Sequence, residues 1–161
     1  MATTTGRAPK LPPRWLMRGF WRLHRQVFVL SGGRAGIRLP QAGRWGMLRL
    51  TTVGRRSGQA RAVMLTYQVD GPNLYVLALN GVAPHDPAWL LNLRAQPEAS
   101  VETSDLNGRS RPVRAREATG EERERLWAAS LEIDRHLDAY AAQRPVPTAV
   151  VVLEPRPALP G

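Results

Sequence analysis

The chain of 161 residues contains no cysteine. Disulfides, thiolate metal sites and cysteine nucleophiles are therefore excluded, and nothing argues for an oxidising compartment. Histidine is almost as scarce. His24, His85 and His136 lie far apart and none belongs to an HxxxH-type pair, so no protein metal site is expected. No apolar run approaches the roughly 20 residues of a membrane span. The only continuous apolar stretch near the start, Val27 to Leu30, is too short for a secretory signal core. The expected location is the cytoplasm. Acidic residues are also missing from the whole front of the chain, the first being Asp70.

What is present follows from that last absence. Of the 23 basic residues, 13 precede Asp70, and the remaining ten share the rest of the chain with all 13 acids. A net charge of +10 distributed this way points to an anionic partner: nucleic acid, membrane head groups or a phosphorylated ligand. Nucleic acid fits least, because the chain has no basic strand interleaved with aromatics and no recognition-helix pattern.

The apolar periodicity predicts a helix over 14–30. At about 100° per residue, Arg14, Arg18, Arg22 and Arg25 share one stripe, while Leu16, Phe20, Leu23 and Val27 face the other way. Two readings fit: an interfacial helix on an anionic membrane, at the inner face of the cell membrane, or a helix packed on the domain with a solvated arginine face. We take residues 1–33 as a basic arm and helix, and 34–157 as the folded domain.

Strands are predicted over Met47–Val53, Gln59–Val69 and Leu74–Leu79. A helix starting at Asp86 as N-cap with Pro87 in its first turn runs to about Ala95. Strands follow at Ala99–Thr103 and Ser110–Glu117. A second helix, opened by a Thr119/Glu122 capping box, is predicted to run to about Ala139, and Thr148–Leu153 closes the order as a strand. Short hairpin connections imply antiparallel pairing, and six strands protect their edges best by closing into a small barrel. The fold class is α+β: a split β-barrel of about six mostly antiparallel strands with flanking helices.

Two segments carry candidate chemistry. Gly54-Arg55-Arg56-Ser57-Gly58, with Arg61 three residues on, puts three arginines and a serine around a tight turn. Glycine lets backbone amides approach an anion, and arginine binds phosphate oxygens through paired hydrogen bonds. The loop lacks the GK[ST] element of a Walker loop and precedes a strand; read alone, it is either a phosphate site or an exposed basic hairpin. Asn80-Gly81-Val82-Ala83-Pro84 feeds the helix that begins near Asp86, whose Trp89 and Asn92 share a face. Read alone, Trp89 is equally a core residue and Asn92 a surface one.

Taken together, Leu50 to Gly58, Arg61, Asn80 to Pro84, Pro87-Ala88-Trp89 and Asn92-Leu93, in this order and spacing, resemble the deazaflavin-dependent nitroreductase family. These are quinone and nitro-compound reductases that use coenzyme F-420 on a split β-barrel fold. The resemblance runs from about Trp15 to Pro155. It implies that Arg55, Arg56, Ser57, Gly58 and Arg61 hold the cofactor's phosphate and tail. Asn80, Gly81, Ala83, Pro84, Trp89 and Asn92 would line the deazaflavin, and Tyr140 would donate a hydrogen bond to the acceptor. Met64 stands where the family usually has a cofactor-side proline, and Val82 where it usually has glycine. FMN and FAD are less fitting cofactors. The acceptor class implied is a quinone, nitroaromatic or enone, and a homodimer is compatible with the family. The rival reading is a split-barrel protein that binds a flavin, tetrapyrrole or fatty acid without turnover. Tyr67 is read as core or barrel wall.

Overall fold

A computed structural model describes residues 36–157; the expected arm and helix over 1–33 lie outside the described residues. Six strands are present: β1 (Gly46–Val53), β2 (Ala60–Asp70), β3 (Asn73–Leu77), β4 (Glu98–Glu102), β5 (Arg111–Glu117) and β6 (Val150–Pro155). They close into a barrel in the order β1-β2-β3-β6-β5-β4, with β4 returning to β1. Every neighbouring pair is antiparallel, as the hairpin-rich order predicts.

The barrel's inner face follows from period-two alternation. In β1, Leu48, Leu50 and Thr52 are buried, and the register sets Leu48 opposite Leu65 and Leu50 opposite Val63. Opposed residues share a face, so β2 presents Arg61, Val63, Leu65 and Tyr67 on the same side. Leu74, Val76, Val101, Val113, Ala115, Val151 and Leu153 complete that interior. Tyr67 is only 1% exposed within it, and burial pushes its hydroxyl up to about 12; this is the core role expected for it.

β6 is buried on both faces, which explains its unbroken valine run. Val151 and Leu153 face inward, while Val150 and Val152 join Tyr75, Ala118 and Leu126 in a second cluster. That cluster lies under helix α2 (Gly120–Ile133). Fully burying each such aliphatic side chain contributes about 1.5–3 kcal/mol.

Helix α1 (Ala88–Ala95) buries Trp89, Leu90 and Leu93 in the interior cluster. Its cap differs from expectation: Pro87 is the N-cap residue and no side chain bonds the free amides. Asp86 instead gives its two oxygens to Arg94 Nη1 at 2.7 Å and Arg144 Nη2 at 3.0 Å. Charge-assisted bonds to guanidinium outcompete a neutral amide cap. The Thr119/Glu122 box fails for the same reason. Thr119 is the N-cap, but Glu122 is bidentate to Arg116 at 2.6 and 2.8 Å.

The long second helix expected to reach about Ala139 is two helices. α2 ends at Ile133, where the Asp134 carboxylate accepts the His136 amide at 2.9 Å. A short helix α3 (Leu137–Ala142) follows. An Asx-type bond of this kind offers the backbone an alternative to helical pairing.

The third strand also stops earlier than expected, at Leu77. Asn80, Gly81 and Val82 then take φ values of 51°, 56° and 56°, a left-handed turn unreadable from apolar pattern. Outside glycine this region costs about 1–2 kcal/mol per residue, and a β-branched residue is an outlier there.

Candidate functional site

The turn between β1 and β2 needs glycine at both ends. Gly58 has φ +67°, and a Cβ on Gly54 would stand 2.7 Å from Ser57 Oγ and 3.2 Å from the Gln59 carbonyl. Two backbone bonds close it: Gly54 N to Gln59 O at 2.8 Å and Gly58 N to Gly54 O at 2.7 Å. The result is a tight hairpin loop that holds Arg55, Arg56 and Ser57 out from the barrel, all three exposed.

This loop is tied to α1 through one buried residue. Asn92 accepts the Arg55 backbone N–H at 3.1 Å and donates to Thr52 Oγ1 at 3.1 Å. The Thr52 hydroxyl in turn donates to the Arg61 carbonyl at 3.4 Å. Arg61 Nη2 reaches Ser57 Oγ at 3.4 Å. Loop, strand ends and helix are thus joined by side-chain amide and hydroxyl bonds.

Between these parts lies an open cavity of about 500 Å³, within the usual range for a small-molecule site. Among its lining residues are Arg55, Arg56, Ser57, Arg61, Asn80, Trp89 and Asn92, seven of the twelve residues expected at the cofactor. Arg55, Arg56, Arg61 and Ser57 give the lining its basic and polar part. Trp89, Pro87, Ala88 and Val63 supply apolar surface, and Asn80 also belongs to the lining. Arg55, Arg56 and Arg61 have no carboxylate partner among the described residues, whereas Arg94, Arg114, Arg116 and Arg125 all do.

Five expected cofactor residues are not in the lining. Gly58 closes the loop from behind. Met64 sits opposite Arg49, on the strand face away from the interior, and is buried outside both hydrophobic clusters. Gly81, in the left-handed turn, and Pro84, beyond it, are exposed, and Ala83 is buried, its carbonyl accepting Arg144 Nε at 3.1 Å. Tyr140 is on α3, half-buried, with its ring 6.3 Å from that of His136; it too lies outside this lining.

Sequence reasoning missed Thr52, Gly54, Ala62, Val63, Pro87 and Ala88 as lining residues. All stand at strand ends or a helix start beside a segment already singled out, so adjacency was the available signal. It also missed Arg144, whose side chain is fully inaccessible and makes five hydrogen bonds. The faint signal was a lone arginine between an alanine-rich helix and an apolar strand. Burial pushes the Asp86 carboxyl up, but bonds from Arg94 and Arg144 outweigh it and hold the group below its ordinary value. Among the described residues there is no cluster able to hold a metal ion, and no helix is long and apolar enough to cross a membrane.

Known proteins resemble the chain in sequence and in fold. An F420H(2)-dependent quinone reductase of Mycobacterium tuberculosis (strain ATCC 25618 / H37Rv) is 36% identical over 92 residues, 55% of this chain. The match spans 60% of that relative's length. The solved structure of an F420-H2 dependent reductase is 29% identical, with a TM-score of 0.60, covering 73% of this chain and 97% of that one. A protein solved as a domain-swapped dimer is 26% identical, with a TM-score of 0.61, covering 86% of this chain and 99% of that one. The family model described as F420H(2)-dependent quinone reductase matches residues 20–155, and the chain belongs to that family.

Proposed function

We propose that this chain is an oxidoreductase that binds reduced coenzyme F-420 in the cavity between the basic turn and α1, and passes its hydride to a quinone. The observation that carries the reading is the pairing, in one cavity, of three arginines lacking carboxylate partners with an apolar wall built on Trp89. A ligand that fits both ends is a polyanion attached to a flat, mostly apolar ring.

The residues present fit the cofactor on that ground. F-420 carries a phosphodiester and a carboxylate-rich tail, and when bound it supplies a hydride at its ring. Arg55, Arg56 and Arg61, with Ser57 between them, hold the anionic part. The absence of acids before Asp70 leaves a positive field that draws such a ligand inward before contact. Trp89, Pro87 and Ala88 give the ring an apolar surface and exclude water from one side of it, and Asn80 meets its edge. Gly81, Ala83 and Pro84 act through the shape of the segment they form, and Gly58 through the turn. Met64 supports β2 from outside the cavity.

Asn92 has a different part from the ring contact that resemblance suggests. Its amide is spent on Arg55 and Thr52, so its main work is to fix the loop against α1. Tyr140 is proposed to donate a hydrogen bond to the acceptor oxygen as charge develops there. That hydroxyl has no partner among the described residues, which leaves it free to donate. Nitroaromatics and enones share the electron-poor, flat character of quinones and are proposed as further acceptors. The relative solved as a domain-swapped dimer supports a homodimer here, and light scattering of the purified chain tests that.

The binding half is tested by titrating the purified chain with F-420, FMN and FAD at low salt. F-420 should bind at least tenfold more tightly than either flavin. Preference for FMN or FAD, or no binding of any of the three, would overturn the cofactor assignment.

A further inference from the structure

We infer that Arg144 is a positioning residue: a buried clamp that holds the left-handed Asn80–Val82 turn in shape and so sets the rim of the cavity. Its guanidinium has five N–H bonds, and five acceptors meet them. Nε donates to Ala83 O at 3.1 Å, and Nη1 to Ala78 O at 2.8 Å and Thr148 Oγ1 at 3.0 Å. Nη2 donates to His85 O at 3.3 Å and Asp86 Oδ1 at 3.0 Å. No donor is left over, and the side chain is closed to solvent.

The placement of those acceptors is what gives the clamp a purpose. Ala83 follows the turn directly and Ala78 stands two residues before it, so a single rigid planar group holds the chain on both sides of the turn. Thr148 anchors the same group to the entry of β6. Between the clamped ends, the backbone has a positive φ at three successive residues, including Val82 at 56°. A β-branched residue does not adopt that conformation unless its surroundings impose it. Asn80 is the turn residue that lines the cavity, and its Nδ2 donates to His85 O at 2.9 Å, a carbonyl that Arg144 also holds. Asp86 continues the chain of contacts to Arg94, which pairs with Glu117 at the end of β5.

Charge alone would not do this. A lysine at 144 has three donors on a flexible stem and cannot span acceptors arranged around a plane. Glycine at 82 would adopt the left-handed conformation without strain, so it should reduce the need for the clamp.

The clamp's effect on F-420 rests on the function proposed above; the clamp itself does not. The test is hydrogen–deuterium exchange of the full chain without ligand, followed by F-420 titration. Arg144→Lys should raise exchange in segment 78–86 by tenfold or more while β1, β2 and β5 stay as protected as in the parent. Val82→Gly in that background should restore at least half of the lost protection. F-420 affinity should fall about tenfold in Arg144→Lys and recover with Val82→Gly. Should Arg144→Lys not fold, Thr148→Val, which removes one acceptor at little change of volume, should still raise exchange over 78–86 several-fold. Unchanged exchange in that segment, loosening spread evenly over the barrel, or no recovery with Val82→Gly would each overturn the clamp. A parent chain that fails to bind F-420 would overturn the proposed function, and the exchange result would still decide the role of Arg144.

Discussion

Asn92 accepts the backbone N–H of Arg55 at 3.1 Å across 37 residues of sequence. The bond joins the first arginine of the basic turn to the helix that carries Trp89, so the turn and the helix that line the cavity are tied together. With its other hand Asn92 donates to Thr52, and it is 5% exposed, so water cannot replace it. Asn92→Ala should remove the acceptor of the part-buried Arg55 amide and one of the two partners of the buried Thr52 hydroxyl, a loss of about 1–3 kcal/mol. Urea denaturation should show a loss of that order, and F-420 affinity should fall with it because the loop is no longer fixed.

The two arginines of the loop and Arg61 at the start of β2 are expected to act on affinity and not on folding. A charge-assisted hydrogen bond is worth about 1.5–3 kcal/mol, or roughly tenfold to a hundredfold in binding, and exposure pushes the value to the low end. Arg55→Ala, Arg56→Ala and Arg61→Ala should each weaken F-420 binding by calorimetry, with the loss shrinking as salt rises. Melting temperatures should stay near that of the parent, since none of the three has an ion-pair partner among the described residues to lose.

Tyr140→Phe separates acceptor chemistry from cofactor binding. Loss of a donor to a developing oxyanion costs up to about 10²–10³-fold in rate. Steady-state kinetics should show a lower kcat with F-420 affinity unchanged. Parent-like kinetics on every accepted quinone would remove Tyr140 from the mechanism.

Acid should unfold the chain through its paired carboxylates. A hydrogen bond from Arg125 holds Asp70 below its ordinary value, and one from Arg116 does the same for Glu122. Asp86 is also depressed, burial being outweighed by Arg94 and Arg144. A carboxyl whose folded pKa is depressed adds stability that is complete above its unfolded value, near 4, and is lost as pH falls through the folded one. Denaturation midpoints should therefore be flat from neutral pH down to about 5 and fall below that. Arg125→Met should flatten part of the acid fall by removing the shift on Asp70.

Much of the fold was legible because it rests on alternation and length. The β1 pattern of Leu48, Leu50 and Thr52 and the doubly buried run in β6 declare a closed barrel once the hairpins are read. The GRRSG turn was legible because Gly54 and Gly58 are there for steric reasons that leave a sequence trace. The two capping errors share a cause, which is pairing with arginine. Asp86 and Glu122 read as local caps, but guanidiniums claim both: Arg116, six residues before Glu122, and for Asp86 both Arg94, eight residues on, and Arg144, 58 residues on. The break at Asp134–His136 and the left-handed turn at 80–82 depend on single side-chain and backbone contacts that periodicity does not encode. Arg144 left only a faint trace in the sequence, since one of its acceptors, Ala78, lies 66 residues away.

The most direct test of the central claim is oxidation of reduced F-420 by a soluble naphthoquinone in the presence of the purified chain. Saturable, enzyme-dependent oxidation should be seen, with Arg56→Ala raising the apparent KM for the cofactor and leaving kcat within a few-fold of the parent. Tight F-420 binding with oxidation no faster than the uncatalysed rate would contradict the account and leave a binding protein in its place.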